Sequence, residues 1–338
     1  MPTYETIRLF NTILNLYYME ELTQTKIAQR LGLSTAKVNR LLQQARELGY
    51  VNITIRTPFQ QLFELETRLK SVFGIQEAIV IPSMVDAGSS TLNALGAAAA
   101  AFFLERLRDG DVVAITPGTT IQAVVQAIDT TRSYGKVEVA PMLGAIQGQI
   151  ESDMNYLATN MGERLGAKAY QLHAPAFADN REQREALQSI AQVKNILDIA
   201  RHANIALLGV GTVDPEISRF VQITALSADD LKNIADGCGG VGEICAHVYN
   251  IDGQPCAEEY ADRVIGLTLA EIQNIPFRIG VAASAAKALP IYGALRGGYL
   301  HALITDESAA RGVLELFDEN FRKNHNRLDI QYAFGTDL

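Results

Sequence analysis

From Ile75 onward, short β-branched runs alternate with helical patterns, and this alternation restricts the chain to few folds. Strands are expected at Glu77–Ile81, Val112–Ile115, Val137–Pro141, Ala169–His173, Ile205–Val210, Val264–Leu267, Phe277–Ala282 and Ala302–Thr305. Helical periodicity falls between them at Asn93–Arg108, Thr120–Ile128, Met154–Leu165, Glu182–Gln188 and Ala285–Leu295. Strands joined through helices run parallel, so the pattern predicts a doubly wound, mostly parallel α/β domain. Ligands in that architecture sit beyond the C-terminal ends of strands, where loops meet helix N-termini. At 338 residues and 48% hydrophobic content, the chain has room for a small module beside such a domain.

The first 57 residues read differently. Ile27, Ala28 and Leu31 mark one face of a short helix that Thr23 caps. Gly32 supplies a sharp turn, Leu33 plugs the angle, and Ser34 or Thr35 caps a second helix with Val38, Leu41, Leu42, Ala45 and Leu48 inward. Thr35, Lys37, Asn39, Arg40, Gln43 and Gln44 then face outward, and they include side chains that reach base edges and phosphates. Leu9, Ile13, Leu16 and Tyr17 of an upstream helix close a mini-core, and Tyr50–Ile55 alternates like the strand of a wing. A solvated helical hairpin shares the polar face. Only the DNA reading also accounts for the local charge: residues 1–56 carry seven Lys/Arg against four Glu, a net +3. The remainder carries −12 of a total of −9, so a basic head on an acidic body confines polyanion contact to one module. We therefore expect a winged helix-turn-helix over 1–57 and an effector and oligomerisation domain over 58–338. Phe59 to Phe73 reads as a helix that either connects a dimer or opens the second core.

No apolar run reaches the roughly 18–20 residues that span a bilayer, and the opening residues lack a signal-peptide pattern. Three cysteines without close pairing suit a reducing cytoplasm, and with scattered histidines they predict core thiols, no metal and no cofactor. The strand Val112–Ile115 runs into Thr116-Pro117-Gly118-Thr119-Thr120 before a helix. Free N–H groups and two hydroxyls there make a phosphate cradle, although a plain capped turn has the same look. Leu208-Gly209-Val210-Gly211-Thr212 is a second strand-end glycine loop, but Asp214 stands where a dinucleotide fingerprint needs glycine. Glu243 follows Cys238-Gly239-Gly240-Val241-Gly242, read as a flexible turn, and Lys287 stands among small residues.

The order of these motifs resembles the SorC family of sugar-responsive bacterial transcriptional regulators along essentially the whole chain. It is carried by the helix-turn-helix, Gly49-Tyr50-Val51, Pro117-Gly118-Thr119-Thr120, Pro141-Met142-Leu143-Gly144, Leu172-His173-Ala174-Pro175-Ala176 and Leu208-Gly209-Val210-Gly211. Gly240-Val241-Gly242-Glu243-Ile244, Asp252-Gly253, Arg263-Val264-Ile265-Gly266, Gly280-Val281-Ala282, Lys287-Ala288 and Leu303-Ile304-Thr305-Asp306-Glu307 complete it. The resemblance implies an effector domain like sugar-phosphate isomerases and deaminases, operator DNA, a phosphorylated sugar or polyol effector, and a homodimer or homotetramer. It also implies Gly118, Thr119 and Thr120 as the phosphate loop. Glu243 and Lys287 become the acid and base facing the ligand, with Asn155 and Gly211 nearby. Two departures stand out: the acid is usually Asp, and paired family glycines appear here as Ala283-Ser284. A regulator of a sugar or polyol operon is the expected function. The alternative is a sugar-phosphate isomerase or deaminase with an accessory DNA module, for which Glu243 and Lys287 lack a third partner.

Overall fold

The computed structural model describes residues 3–51, 59–83, 89–146, 153–218 and 227–333. The chain divides into two compact units, Met1–Pro58 and Phe59–Leu338. In the first, α1 (Tyr4–Leu14) continues as a single π turn over Asn15–Met19, followed by α2 (Gln24–Leu31) and α3 (Thr35–Glu47). Apolar residues at helical spacing, among them Phe10, Ile13, Ile27, Val38 and Leu42, meet in one small core. The expected wing, Tyr50–Ile55, lies outside the described residues beyond Val51.

The second unit opens with α4 (Gln60–Phe73), β1 (Glu77–Ile81), α5 (Ser89–Arg106) and β2 (Val112–Ile115). It continues through α6 (Thr119–Ala127), β3 (Glu138–Pro141), α7 (Met154–Leu165) and β4 (Lys168–Ala169). Helices α8 (Arg181–Ser189) and α9 (Ala191–Arg201) precede β5 (Ile205–Gly209). Next come β6 (Gly211–Thr212), α10 (Ala228–Cys238), β7 (Gly240–Ile244) and β8 (His247–Asn250). The chain then forms α11 (Glu258–Ala261), α12 (Leu269–Gln273), β9 (Phe277–Val281), α13 (Ala288–Arg296), β10 (Ala302–Asp306) and α14 (Glu307–Ala333).

Seven strands form one sheet in the order β1-β10-β9-β5-β2-β3-β4, and every pairing is parallel. The period of two along each strand sorts side chains by size. Val113, Ile115, Val139, Ile205, Leu207 and Ile279 join a core with α5, α6 and α7 on one face. Ala114, Ala140 and Ala206 point to the other, where their small size lets α9 pack against β2 and β3 through Val193, Leu197 and Ala200. Each fully buried Val, Leu or Ile contributes roughly 1.5–3 kcal/mol, so both faces have to be covered.

Leu48, expected inward on α3, is exposed, and four expectations for the second unit need correction. Val264–Leu267 is no strand; its N–H and C=O groups go to loops, Leu267 N to Met142 O at 2.9 Å and Gly144 N to Ile265 O at 2.9 Å. The strand at Ala169–His173 shrinks to Lys168–Ala169, because the Leu172 backbone turns to bond the Asn155 side chain. The helix at Ala285–Leu295 begins as a 3-10 turn over Ala285–Lys287 and only then becomes α13. Gly240–Ile244 is a strand, not a flexible turn, in an antiparallel sheet ordered β6-β7-β8.

Two polar knots hold the unit. The buried Arg278 guanidinium, which burial pushes down in pKa, donates to the carbonyls of Gln273 (2.6 Å), Ile275 (2.5 Å), Gly298 (3.0 Å) and Tyr299 (2.9 Å). These oxygens lie at and just beyond the C-terminal ends of α12 and α13, which lack intrahelical partners and favour a cation. The buried Asp306 carboxylate, at the end of β10, accepts from Ser83 Oγ (2.7 Å), Ser308 Oγ (2.6 Å) and Ser284 N (2.8 Å). Those hydrogen bonds outweigh burial and hold its pKa below the usual carboxylate range. The knot fixes Ser284 at φ +96°, a backbone conformation that favours glycine.

Arg278→Ala should therefore destabilise the protein by about 3–4 kcal/mol, since several buried carbonyls lose a charged donor together. A drop in melting temperature below about 2 °C, less than 1 kcal/mol for a domain of this size, would show that water replaces the guanidinium. Ser284→Gly should act in the opposite direction. Relief of backbone strain, less the added freedom of the unfolded chain, leaves a net gain of about 1 kcal/mol, or a rise of roughly 2–4 °C. A fall in melting temperature would contradict the strain.

Candidate functional site

In the first unit, Thr23 and Ser34 cap α2 and α3 by accepting the Lys26 and Lys37 N–H groups at 3.4 and 3.2 Å. Gly32, at φ +66°, ends α2 in the left-handed conformation, and Leu33 N returns to Ala28 O at 2.9 Å. The tight turn leaves Thr35, Lys37, Asn39, Arg40, Gln43 and Gln44 all exposed on α3. Two basic residues of the unit are otherwise engaged. Arg30 pairs with Glu20 at 3.0 Å, and Arg46 Nε donates to Tyr18 Oη at 3.1 Å. Lys37 and Arg40 form no such pair among the described residues.

In the second unit the strands β9, β5 and β2 are neighbours, so their C-terminal ends open side by side. The buried Thr116 hydroxyl joins two of those ends. It accepts the Gly209 N–H at 2.8 Å and lies 3.4 Å from Leu207 O, to which it donates. After it, Gly118 adopts φ +119°, ψ 160° and starts α6 with no side-chain cap, leaving Thr119 and Thr120 in the first turn. The first N–H groups of a helix have no intrahelical partners and carry the positive end of its dipole, so an anion is stabilised there.

The small antiparallel sheet brings the carboxylate to this edge. Gly211 pairs with Glu243, whose side chain lies over Gly211 so closely that a Cβ there would collide with Oε1. Cys245 and Ala246, with φ of +53° and +64°, make the two-residue turn between β7 and β8. Positive φ at both central residues matches the twist of a hairpin, but for Cys and Ala it is strained. Glu243 Oε2 bonds the Ala246 N–H of that turn at 3.0 Å. Burial raises the Glu243 pKa, while this N–H and the charge of Lys287 pull it down. Lys287 closes the 3-10 turn that follows β9 and is half-buried.

The strand ends and the hairpin thus bring together Gly118, Thr119 and Thr120 beside the β5 end, and Gly211 and Glu243 with Lys287. Asn155 stands on the first turn of α7, and its amide is engaged by the backbone. Its Oδ1 accepts Leu172 N at 2.8 Å and its Nδ2 donates to Leu172 O at 3.2 Å, so the amide pins the segment after β4. Thr116 and the Ala246 N–H were not anticipated; the only trace of Thr116 in the sequence is a polar residue closing an apolar strand. Among the described residues no group of three or more His, Cys, Asp or Glu converges to hold a metal, and no helix is long and apolar enough to cross a membrane.

Comparison with known proteins agrees with this geometry. The family described as "Putative sugar-binding domain" matches residues 57–315, and the sigma-70 region 4 family matches residues 11–48. A sorbitol operon regulator from Klebsiella pneumoniae is 28% identical over 317 residues, covering 93% of this chain and 100% of that protein. A deoxyribonucleoside regulator from Bacillus subtilis is 32% identical over 308 residues, covering 88% and 95%. The crystal structure of the full-length sorbitol operon regulator superposes with a TM-score of 0.70 at 27% identity, over 92% of this chain and 99% of that one. These relatives are named as regulators, not enzymes. With a helix-turn-helix in its first unit and the sugar-binding fold in its second, the chain belongs to the SorC family of transcriptional regulators.

Proposed function

We propose that this regulator controls a sugar or polyol operon, and that a phosphorylated sugar or polyol gates it from the C-terminal edge of its sheet. The observation that carries this reading is the start of α6, which has no side-chain cap and lies beside the end of β5. A phosphate there takes hydrogen bonds from the first-turn N–H groups and from the hydroxyls of Thr119 and Thr120. Lys287 adds a charged donor, and Glu243 accepts from a ligand hydroxyl through whichever lone pairs the Ala246 N–H leaves open. Gly211 is required because any side chain would displace that carboxylate.

On the DNA side, Asn39, Arg40, Gln43 and Gln44 read base edges from α3, and Thr35 and Lys37 contact phosphates near its N-terminus. The protein works in the cytoplasm as a homodimer or homotetramer, so that two heads engage two half-sites. Ligand binding changes operator occupancy only through its unequal affinity for the DNA-bound and free states.

Two predictions test the two ends. In calorimetric titration, sorbitol 6-phosphate or another phosphorylated sugar or polyol should bind at least about tenfold tighter than its unphosphorylated parent, a gap of about 1.4 kcal/mol. Lys287→Met should lose most of that affinity and keep DNA binding. Equal affinity for each phosphorylated and free pair would overturn the phosphate site. On an operator selected from random duplexes, Arg40→Ala should cost about 1–3 kcal/mol, while Lys37→Ala should weaken all sequences alike and flatten the salt dependence. Full affinity in Arg40→Ala would mean that α3 presents another face.

A further inference from the structure

We propose that Cys238 and Cys256 are a modification site, closing to a reversible disulfide inside one chain under peroxide. Cys238 is the last residue of α10, and Cys256 follows β8 in a segment held by its own N–H to Val248 O at 3.0 Å and by the Tyr249–Pro255 bridge. Gly240, two residues after Cys238, packs against Cys256. A Cβ there would stand 2.8 Å from the Val248 side chain, 3.2 Å from that of Ile234 and 3.6 Å from Cys256 Sγ, so all three share this spot. The Cys238 thiol donates to Ile234 O at 3.2 Å, and the Ile234 side chain and Cys256 Sγ both lie against Gly240. Cys238 and Cys256 are both half-buried. Cys245 is excluded, since it is buried and its thiol points to Met142 O.

The roles of the two sulfurs differ. Burial and the neighbouring Cys238 push the Cys256 thiol up to about 12, which leaves almost no thiolate there at neutral pH. The first attack is assigned to Cys238. As thiolate it takes one oxygen from hydrogen peroxide; the S–O bond forms, the O–O bond breaks, and hydroxide leaves to be protonated as water. Cys256 then attacks the sulfenic sulfur; the S–S bond forms, the S–O bond breaks, and a second water carries off the Cys256 proton. Two thiols and one peroxide give one disulfide and two waters. The bond would tie the end of α10 to the segment after β8, across the first residue of the strand that carries Glu243.

The test treats full-length protein with hydrogen peroxide, then blocks free thiols and measures intact mass and digested peptides without reductant. The expected product has lost two hydrogens, keeps one alkylatable thiol, and yields a single linked peptide joining Cys238 to Cys256 that dithiothreitol releases. Its melting temperature rises relative to reduced protein, and Cys256→Ser abolishes the shift while dimedone labels Cys238. A disulfide through Cys245, a covalent dimer, or oxygen addition at both cysteines without a linked peptide would overturn the proposal.

Discussion

All seven strands of the main sheet run the same way, and nearly everything else about the second unit follows from that. Parallel pairing sends every connection back across a face, so both faces must be apolar and both must be covered. It also gathers the C-terminal strand ends on one edge, which the order β9-β5-β2 makes continuous. The Thr116 hydroxyl bonds two of those ends into a fixed pair. Because a helix follows β2 directly, its uncapped start arrives at the same edge as Gly209, which ends β5, and Gly211 after it. The site is a consequence of topology, and the side chains only choose its chemistry.

That chemistry rests on a balance at Glu243. Burial disfavours its charge, while one backbone N–H and the Lys287 ammonium favour it. The N–H comes from a hairpin turn that two non-glycine residues hold in left-handed conformation, so the carboxylate and the strained turn support each other. Across the edge, Ser284 is held in a conformation suited to glycine by its N–H bond to Asp306. Such backbone strain persists where the surrounding hydrogen bonds over-determine it, and here it falls on the elements that form the candidate site.

Much of the fold was legible because its signals are local. Val112–Ile115 matched in both bounds, as did Met154–Leu165, since an apolar run between turn residues and a 3.6-residue period need no tertiary help. The small antiparallel sheet was not legible. Gly240, Gly242 and the brevity of β6 mimic a loop, and Cys245-Ala246 lacks the Asn-Gly signature of its turn. Helix α10 does carry a sequence signal, the capping box of Ser227 with Asp230, and α9 shows Val193, Leu197 and Ala200 at helical spacing. Val264–Leu267 misled because its buried apolar run matches a central strand, whereas its partners are loops. The position of the Gly118 loop at a strand end and helix start could be read from residue types. The Asn155 hydrogen bonds could not, because they depend on the path of a segment seventeen residues away, at Leu172.

The central claim is that the edge formed by the ends of β2, β5 and β9 receives the effector. Hydrogen exchange of the full-length protein measures this most directly, with and without whichever phosphorylated sugar or polyol raises its melting temperature most. The account predicts slowed exchange at 118–122, 209–212, 242–246 and 284–288, with the opposite edge of the sheet unchanged. Protection confined to other segments, or no phosphorylated compound that alters either melting or exchange, would contradict it.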